Sequence, residues 1–348
     1  MRDLAFALLY DTFKTARTPA LWVVDENIDI ADIPNGLHGF SAITNRFDVA
    51  QALETKGWDY QLNDYLLEAQ PREHFASIFL RIPKEKAQGH YLINQSGQLL
   101  CHGGSLFLSG MKQEGIKGFI DRAAKLSGQS ADLWKADKQT WAGEIRFEGP
   151  MGEPLEDKDY RTLRPAPQDD HFHFLSKPGI FGWDKIDQGS ALLVSHLASL
   201  IQPFSDISCA LDLGCGYGYL TLHTGRLLDI PVVATDNNAA AVFACQHNLA
   251  QAQRQGDVTL DDCGKHVEGE FPLVVCNPPF HSGFSVDNDL TDHFLASAAD
   301  HLTKTGVAIF VTNLHIPLER KASHFFKRTE TMISNGHFKL VRLSQPKK

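Results

Sequence analysis

The run Leu211-Asp212-Leu213-Gly214-Cys215-Gly216-Tyr217-Gly218 constrains this chain more than any other. It follows an apolar stretch of strand character and opens a helix-like segment that continues to Leu228. Glycines between a strand and a helix allow a tight turn. They also let a ligand approach the N–H groups of a helix N-terminus. The order continues with a strand (PVVATDN), a helix over 238–253 and a strand that ends in a polar-proline turn (FPLVVCNPPF). A further helix (LTDHFLASAADHL), a strand (GVAIFVTNL) and a closing strand (HFKLVRLS) complete it. Strands of buried type in this order predict a doubly wound α/β sheet.

The loop discriminates among ligands. The dinucleotide fingerprint G-x-G-x-x-G would place its third glycine at 219, where this chain has Tyr219. Asp212 stands two residues before the first glycine and can accept from a cationic amino end of a ligand. Asp236 closes the next strand, about 20 residues beyond the loop, where a carboxylate takes both ribose hydroxyls. Ribose plus amino group without pyrophosphate describes S-adenosylmethionine. The expected cofactor set is therefore Asp212, Gly214, Gly216, Gly218 and Asp236.

Asn277-Pro278-Pro279-Phe280 ends an apolar strand, which places it at the ligand edge of such a sheet. The prolines stiffen the backbone and donate no hydrogen bond. They hold the Asn277 side-chain oxygen and the Pro278 carbonyl as fixed acceptors for a planar amine. Phe280 can stack on that plane. Asn277, Pro278 and Phe280 are thus the catalytic candidates for methylation of an exocyclic amine. Such a reaction needs alignment and charge stabilisation more than a strong base. A base inside a stacked nucleic acid would have to swing out to reach the pocket.

With these motifs in place, the second half resembles a class I N-methyltransferase, and more narrowly the bacterial small-subunit ribosomal RNA guanine-N2 methyltransferase family with its large-subunit relative. Pro178-Gly179-Ile180-Phe181 and Asp187-Gln188-Gly189-Ser190 before the loop, Asn277 to Gly283, Val311 to Asn313 and the closing GHFKLVRL carry the likeness over roughly 175–345. The resemblance implies a Rossmann-like sheet preceded by a second α/β domain that is a decayed copy of it. It implies S-adenosylmethionine-dependent methylation of guanine N2 in 16S rRNA. It also implies a polar residue near the adenine at Asp261 or Asp262, the latter slightly preferred, with Asn277 bordering the cofactor as well. His281 would touch the base edge or shape the loop. The alternatives are the 23S rRNA reaction, adenine N6 or a protein glutamine amide. Further off stand a nicotinamide oxidoreductase and an assembly factor that binds the cofactor without catalysis.

The first half offers strands at 21–26, 76–82 and 104–110 and a helix over 115–128, with no glycine loop after its first strand. Between about 143 and 183 the chain is rich in Pro, Gly and charge, with short alternating pieces such as Glu144 to Glu148, which predicts a linker carrying edge strands or a hairpin. The expected domains are 1–165, for substrate binding or folding support, and 166–348, for catalysis. A net charge of -9 excludes a protein that coats itself in nucleic acid by bulk charge. Yet eight of the last 29 residues are Lys or Arg. Arg320, Lys321, Lys327 and Arg328 are therefore candidates for a phosphate-facing patch against ribosomal RNA or a ribosomal subunit, the other reading being a solvated helix and tail. His171 and His173 alternate with Phe172 and Phe174, as in a strand with one wet face. Six cysteines without a CxxC pair suggest reduced thiols in the cytoplasm and no metal site. No apolar run is long enough to span a membrane. Two similar domains in one chain suggest a monomer.

Overall fold

The computed structural model describes residues 3–166, 168–279, 281–282, 285–286 and 288–348. The chain forms two compact units that part between Thr162 and Leu163.

The first unit runs α1 (Leu4–Phe13), β1 (Ala20–Val24), β2 (Phe40–Thr44), α2 (Phe47–Thr55), β3 (Asp59–Leu62), β4 (Phe75–Arg81), α3 (Lys86–Leu99), β5 (Leu100–Met111), α4 (Ile116–Ser127), β6 (Asp132–Lys135) and β7 (Thr140–Phe147). Its strands make one sheet in the order β3-β2-β1-β4-β5-β7-β6. The first five pair in parallel, whereas β7 is antiparallel to both β5 and β6. Period-two alternation explains the layers. Leu21, Val23, Ile78 and Leu80 enter the core on one face, while Trp22, Val24 and Phe79 enter the core on the other. A strand covered on both sides is apolar throughout, as in β4, which is buried along its whole length.

The second unit begins with the two-residue strands β8 (Arg164–Pro165) and β9 (Leu175–Ser176). It continues with α5 (Gln188–Ile201), β10 (Ala210–Leu213), α6 (Tyr219–Leu228), β11 (Val232–Asp236), α7 (Ala239–Gln251), β12 (Gly256–Leu260) and β13 (Phe271–Cys276). The short β14 (His281–Ser282) and β15 (Ser285–Val286), then α8 (Asn288–His301), β16 (Leu302–Asn313), α9 (Leu318–Ala322), β17 (Phe326–Ser334) and β18 (Phe338–Pro346) complete it. The sheet order is β12-β11-β10-β13-β16-β18-β17, which repeats the order of the first unit strand for strand.

The repeat holds at residue level. Ala20 pairs with Phe40 and Ser77, and Ala210 pairs with Val232 and Leu273. Both sheets carry the same irregularity: Phe75 and Ser77 face Leu100 and Ser105, and Phe271 and Leu273 face Leu302 and Val307. Counting from these pairs, Trp22 stands where the second unit has Asp212, Thr44 where it has Asp236, and Arg81 where it has Asn277. The expected second α/β domain, a copy without the glycine loop, is what the chain builds.

Several local expectations need correction. The stretch read as the start of a linker contains β7, which lies inside the sheet between β5 and β6. Proline-rich chain just downstream hides its pattern. His171 and His173 are not in a strand; only Leu175–Ser176 is. Asp169 draws that turn together by accepting from the N–H groups of His171 and Phe172. The basic C-terminal stretch is not a helix and tail: α9 is five residues long, and β17 follows it. The sheet edges β3, β12 and β17 carry no continuous apolar run, so patterning does not reveal them.

Candidate functional site

The glycine loop leaves β10 at Leu213 and enters α6 at Tyr219. Gly214, Gly216 and Gly218 all take left-handed φ, of 80°, 55° and 94°. That region disfavours side chains. At Gly218 space forbids one as well, since a Cβ would come within 2.8 Å of Cys245 Sγ. The N–H groups of Gly214 and Cys215 donate back to Thr235 O, each at 2.9 Å, which ties the loop to β11.

Asp236 ends β11 against this loop. Its Oδ2 accepts from Gly216 N and its Oδ1 from Asn238 N, both at 2.9 Å. Two backbone donors therefore fix the carboxylate against the loop. Asp212 is fully buried in β10. Its Oδ2 accepts from Thr221 Oγ1 at 2.6 Å, while its Oδ1 is buried with no hydrogen-bond partner. Burial pushes this carboxyl up to about 7, with Asp236 adding to the rise and the Thr221 hydroxyl opposing it. A buried acceptor without a donor is costly unless a ligand supplies one. The ammonium of an amino-acid-bearing cofactor is such a donor, so the residues fit the group.

Asp261 follows β12, and its N–H donates to Asp236 O at 3.0 Å. Its buried carboxylate accepts both from the backbone N–H and from ring Nδ1 of His266, each at 2.8 Å. It braces the turn. Asp262 beside it pairs with Lys265.

Leu213 and Cys276 are register partners, so the glycine loop and Asn277 leave adjacent strand ends at the same sheet edge. The Asn277 amide nitrogen donates to Asp187 Oδ1 at 2.7 Å and to Ser190 Oγ at 2.9 Å. Both amide hydrogens are thereby used, and the side-chain oxygen is left as acceptor. Pro278 is buried and Pro279 exposed. Phe280 and the His281 side chain lie outside the described residues.

The profile described as "Methyltransferase small domain" matches residues 171–342, and "Methyltransferase small domain N-terminal" matches 23–138. The Ribosomal RNA small subunit methyltransferase C of Aeromonas hydrophila is 30% identical over 309 residues, 87% of this chain and 86% of that protein. That of Pseudomonas entomophila is 31% identical over 279 residues, 76% of this chain and 81% of that protein. The chain belongs to the ribosomal RNA small subunit methyltransferase C family. The T. thermophilus 16S rRNA N2 G1207 methyltransferase, a structure in complex with AdoMet and guanosine, shares the fold of this family member with a TM-score of 0.85. The likeness covers 99% of this chain and 92% of that one at 22% identity.

In this methyltransferase the basic C-terminal candidates are spread over α9, β17 and β18 rather than gathered in one segment. Most are engaged by acids. Lys321 meets Asp292 at 2.8 Å, Lys339 meets Glu319 at 2.6 Å, and Arg328 and Arg342 share Glu330 at 3.3 and 3.1 Å. Arg320 and Lys327 are exposed. A residue that sequence reasoning left without a role is Asp187. The signal was present in its position before a helix and in Asp187-Gln188-Gly189-Ser190, but 90 residues separate it from Asn277. His223 in α6 is buried and bonded to Asp169 at 2.6 Å, and burial pushes its ring pKa down. Among the described residues no helix is long and apolar enough to cross a membrane.

Proposed function

We propose that this chain transfers the methyl group of S-adenosylmethionine to the exocyclic N2 of a guanine in 16S ribosomal RNA. The observation that carries the reading is Asn277. Its amide hydrogens are both used inside the protein, so its oxygen is offered at the sheet edge beside the glycine loop.

When bound, S-adenosylmethionine supplies a methyl group on a sulfonium that needs no further activation. Asp236 would take the ribose hydroxyls, Asp212 Oδ1 would take the ammonium, and the backbone of Gly214, Gly216 and Gly218 would border the cofactor. Asp262 would hold the adenine, with Asp261 bracing the turn that carries it. Asn277 Oδ1 and the Pro278 carbonyl accept the two hydrogens of the guanine amine. As positive charge grows on that nitrogen, two fixed oxygens stabilise it without reorganising, and the methylated nitrogen then releases one proton to water. Phe280 stacks on the base after it leaves its own stack, and His281 shapes the loop beside it. Arg320 and Lys327, exposed on α9 and β17, touch RNA phosphates. The first unit supports folding and holds the substrate, and the working form is a cytoplasmic monomer.

The test offers labelled S-adenosylmethionine to unmethylated small subunits, large subunits and free 16S rRNA, followed by nucleoside analysis. Label in N2-methylguanosine from small-subunit RNA is expected. Label confined to large-subunit RNA, or to another nucleoside, would overturn the reading.

A further inference from the structure

Resting on that function, we propose that Asp187 is a positioning residue for methyl transfer. With Ser190 it fixes the Asn277 amide so that the oxygen, rather than the NH2 group, meets the substrate amine.

An Asn side chain is nearly the same shape in its two amide orientations, yet one face accepts and the other donates. A guanine amine needs the accepting face. An ionised carboxylate only accepts, so an amide held against Asp187 must turn its NH2 toward it. The geometry makes this a built contact. Asp187 is the N-cap of α5, and the oxygen that receives Asn277 at 2.7 Å also receives the Ser190 N–H at 2.8 Å. The positive end of a helix favours the charge there. Ser190 Oγ takes the other amide hydrogen at 2.9 Å. Gly189 leaves room for the arrangement: a Cβ would lie 3.1 Å from Asp187 Oδ1 and 3.2 Å from both Phe338 and Val311.

The first unit offers an internal comparison. Asp3 caps α1 as Asp187 caps α5, and it meets Arg81 Nε at 3.0 Å. Arg81 occupies the register position of Asn277. The contact from helix start to strand end is thus present in both units. In the first it ends in a guanidinium that can accept nothing; in the second it ends in an amide whose oxygen remains available. A carboxylate at the amide N–H also draws electron density toward the amide oxygen, which strengthens it as an acceptor while charge builds on the amine. The effect belongs to the rate of transfer, not to cofactor binding.

The experiment compares Asp187→Ser and Asp187→Asn in the full-length protein. Measured are single-turnover rate, KM for unmethylated small subunits, S-adenosylmethionine affinity by calorimetry, and melting temperature. Ser keeps an N-cap but is too short to reach Asn277, whereas Asn keeps both the cap and an acceptor. Asp187→Ser should slow transfer about 30–100-fold with cofactor affinity and KM within about threefold of wild type, because only transition-state stabilisation is lost. Asp187→Asn should regain roughly a third to a tenth of the wild-type rate, as the acceptor returns without its charge. Ser190→Ala should be milder still and leave folding intact. Wild-type rate in Asp187→Ser overturns the inference. So does a joint fall of rate, cofactor affinity and melting temperature, or an Asp187→Asn rate no better than that of Asp187→Ser. A wild-type protein that transfers nothing to ribosomal RNA overturns the parent reading instead.

Discussion

Where β10 carries Asp212, β1 carries Trp22; where β11 ends in Asp236, β2 ends in Thr44; where Asn277 follows β13, Arg81 ends β4. Around Trp22 the first unit is packed with rings. Phe6 stacks on it with centroids 5.1 Å apart, and Trp58 and Phe13 lie at 5.0 and 5.6 Å. Arg81 is satisfied by Asp3 and Glu114. Around Asp212 the second unit keeps a buried carboxylate with one oxygen unpartnered. Two sheets of equal order therefore differ in what their ligand edges do. One carries stacked rings where the other has Asp212, and a guanidinium closed against two acids where the other has Asn277. The other holds acceptors in reserve, at a cost in stability that a bound ligand offsets.

The comparison can be broken in order of expected effect. Asn277→Ala should lower the transfer rate roughly a thousandfold, as loss of a preorganised transition-state acceptor does, while cofactor affinity by calorimetry stays near wild type. Equal loss of both would put Asn277 in the cofactor site and not the reaction. Arg81→Ala should cost about 3–5 kcal/mol of stability in urea unfolding, because it strands buried acids, and should leave cofactor affinity unchanged. Asp236→Ala should weaken S-adenosylmethionine binding roughly 10–100-fold, the value of hydrogen bonds to a charged group.

Asp212 gives a pH signature. Its folded pKa of about 7 lies above the ordinary carboxylate value of about 3.9, so the folded chain holds the extra proton between them. Stability of the ligand-free protein should then fall as pH rises from about 4 to about 7 and level off above, and Asp212→Asn should flatten that slope. Cofactor affinity should move the other way, rising as pH approaches 7 by up to about tenfold per unit, because the ammonium meets a carboxylate. The smallest effect sharpens the contrast. Thr44→Asp gives the first unit the residue type of Asp236 at the matching strand end, yet calorimetry should still count one cofactor per chain, since Trp22 and Arg81 stand at the other matching positions.

Much of the site was legible because its chemistry is local. A glycine turn between strand and helix, an acid two residues ahead of it and a proline-stiffened Asn at a strand end each declare their role within a few residues. The first unit was harder to read. β2 and β3 lack the unbroken apolar run that marks β4, and β7 adjoins proline-rich chain that reads as a linker. The basic C-terminal count overstates the unpaired charge for another reason. Lys348 is paired with Glu270 at 2.5 Å and Lys321 with Asp292, acids supplied by distant parts of the chain.

Residue order determined the sheet class, the glycine turn between strand and helix and the proline-stiffened Asn at a strand end, because strand, turn and cap preferences act over neighbouring residues. Tertiary structure decided which way the Asn277 amide faces, which cations keep a free charge and which of two equal sheets stays open at its edge. Each of those depends on a partner tens of residues away, and only closure of the sheet brings that partner within hydrogen-bond distance.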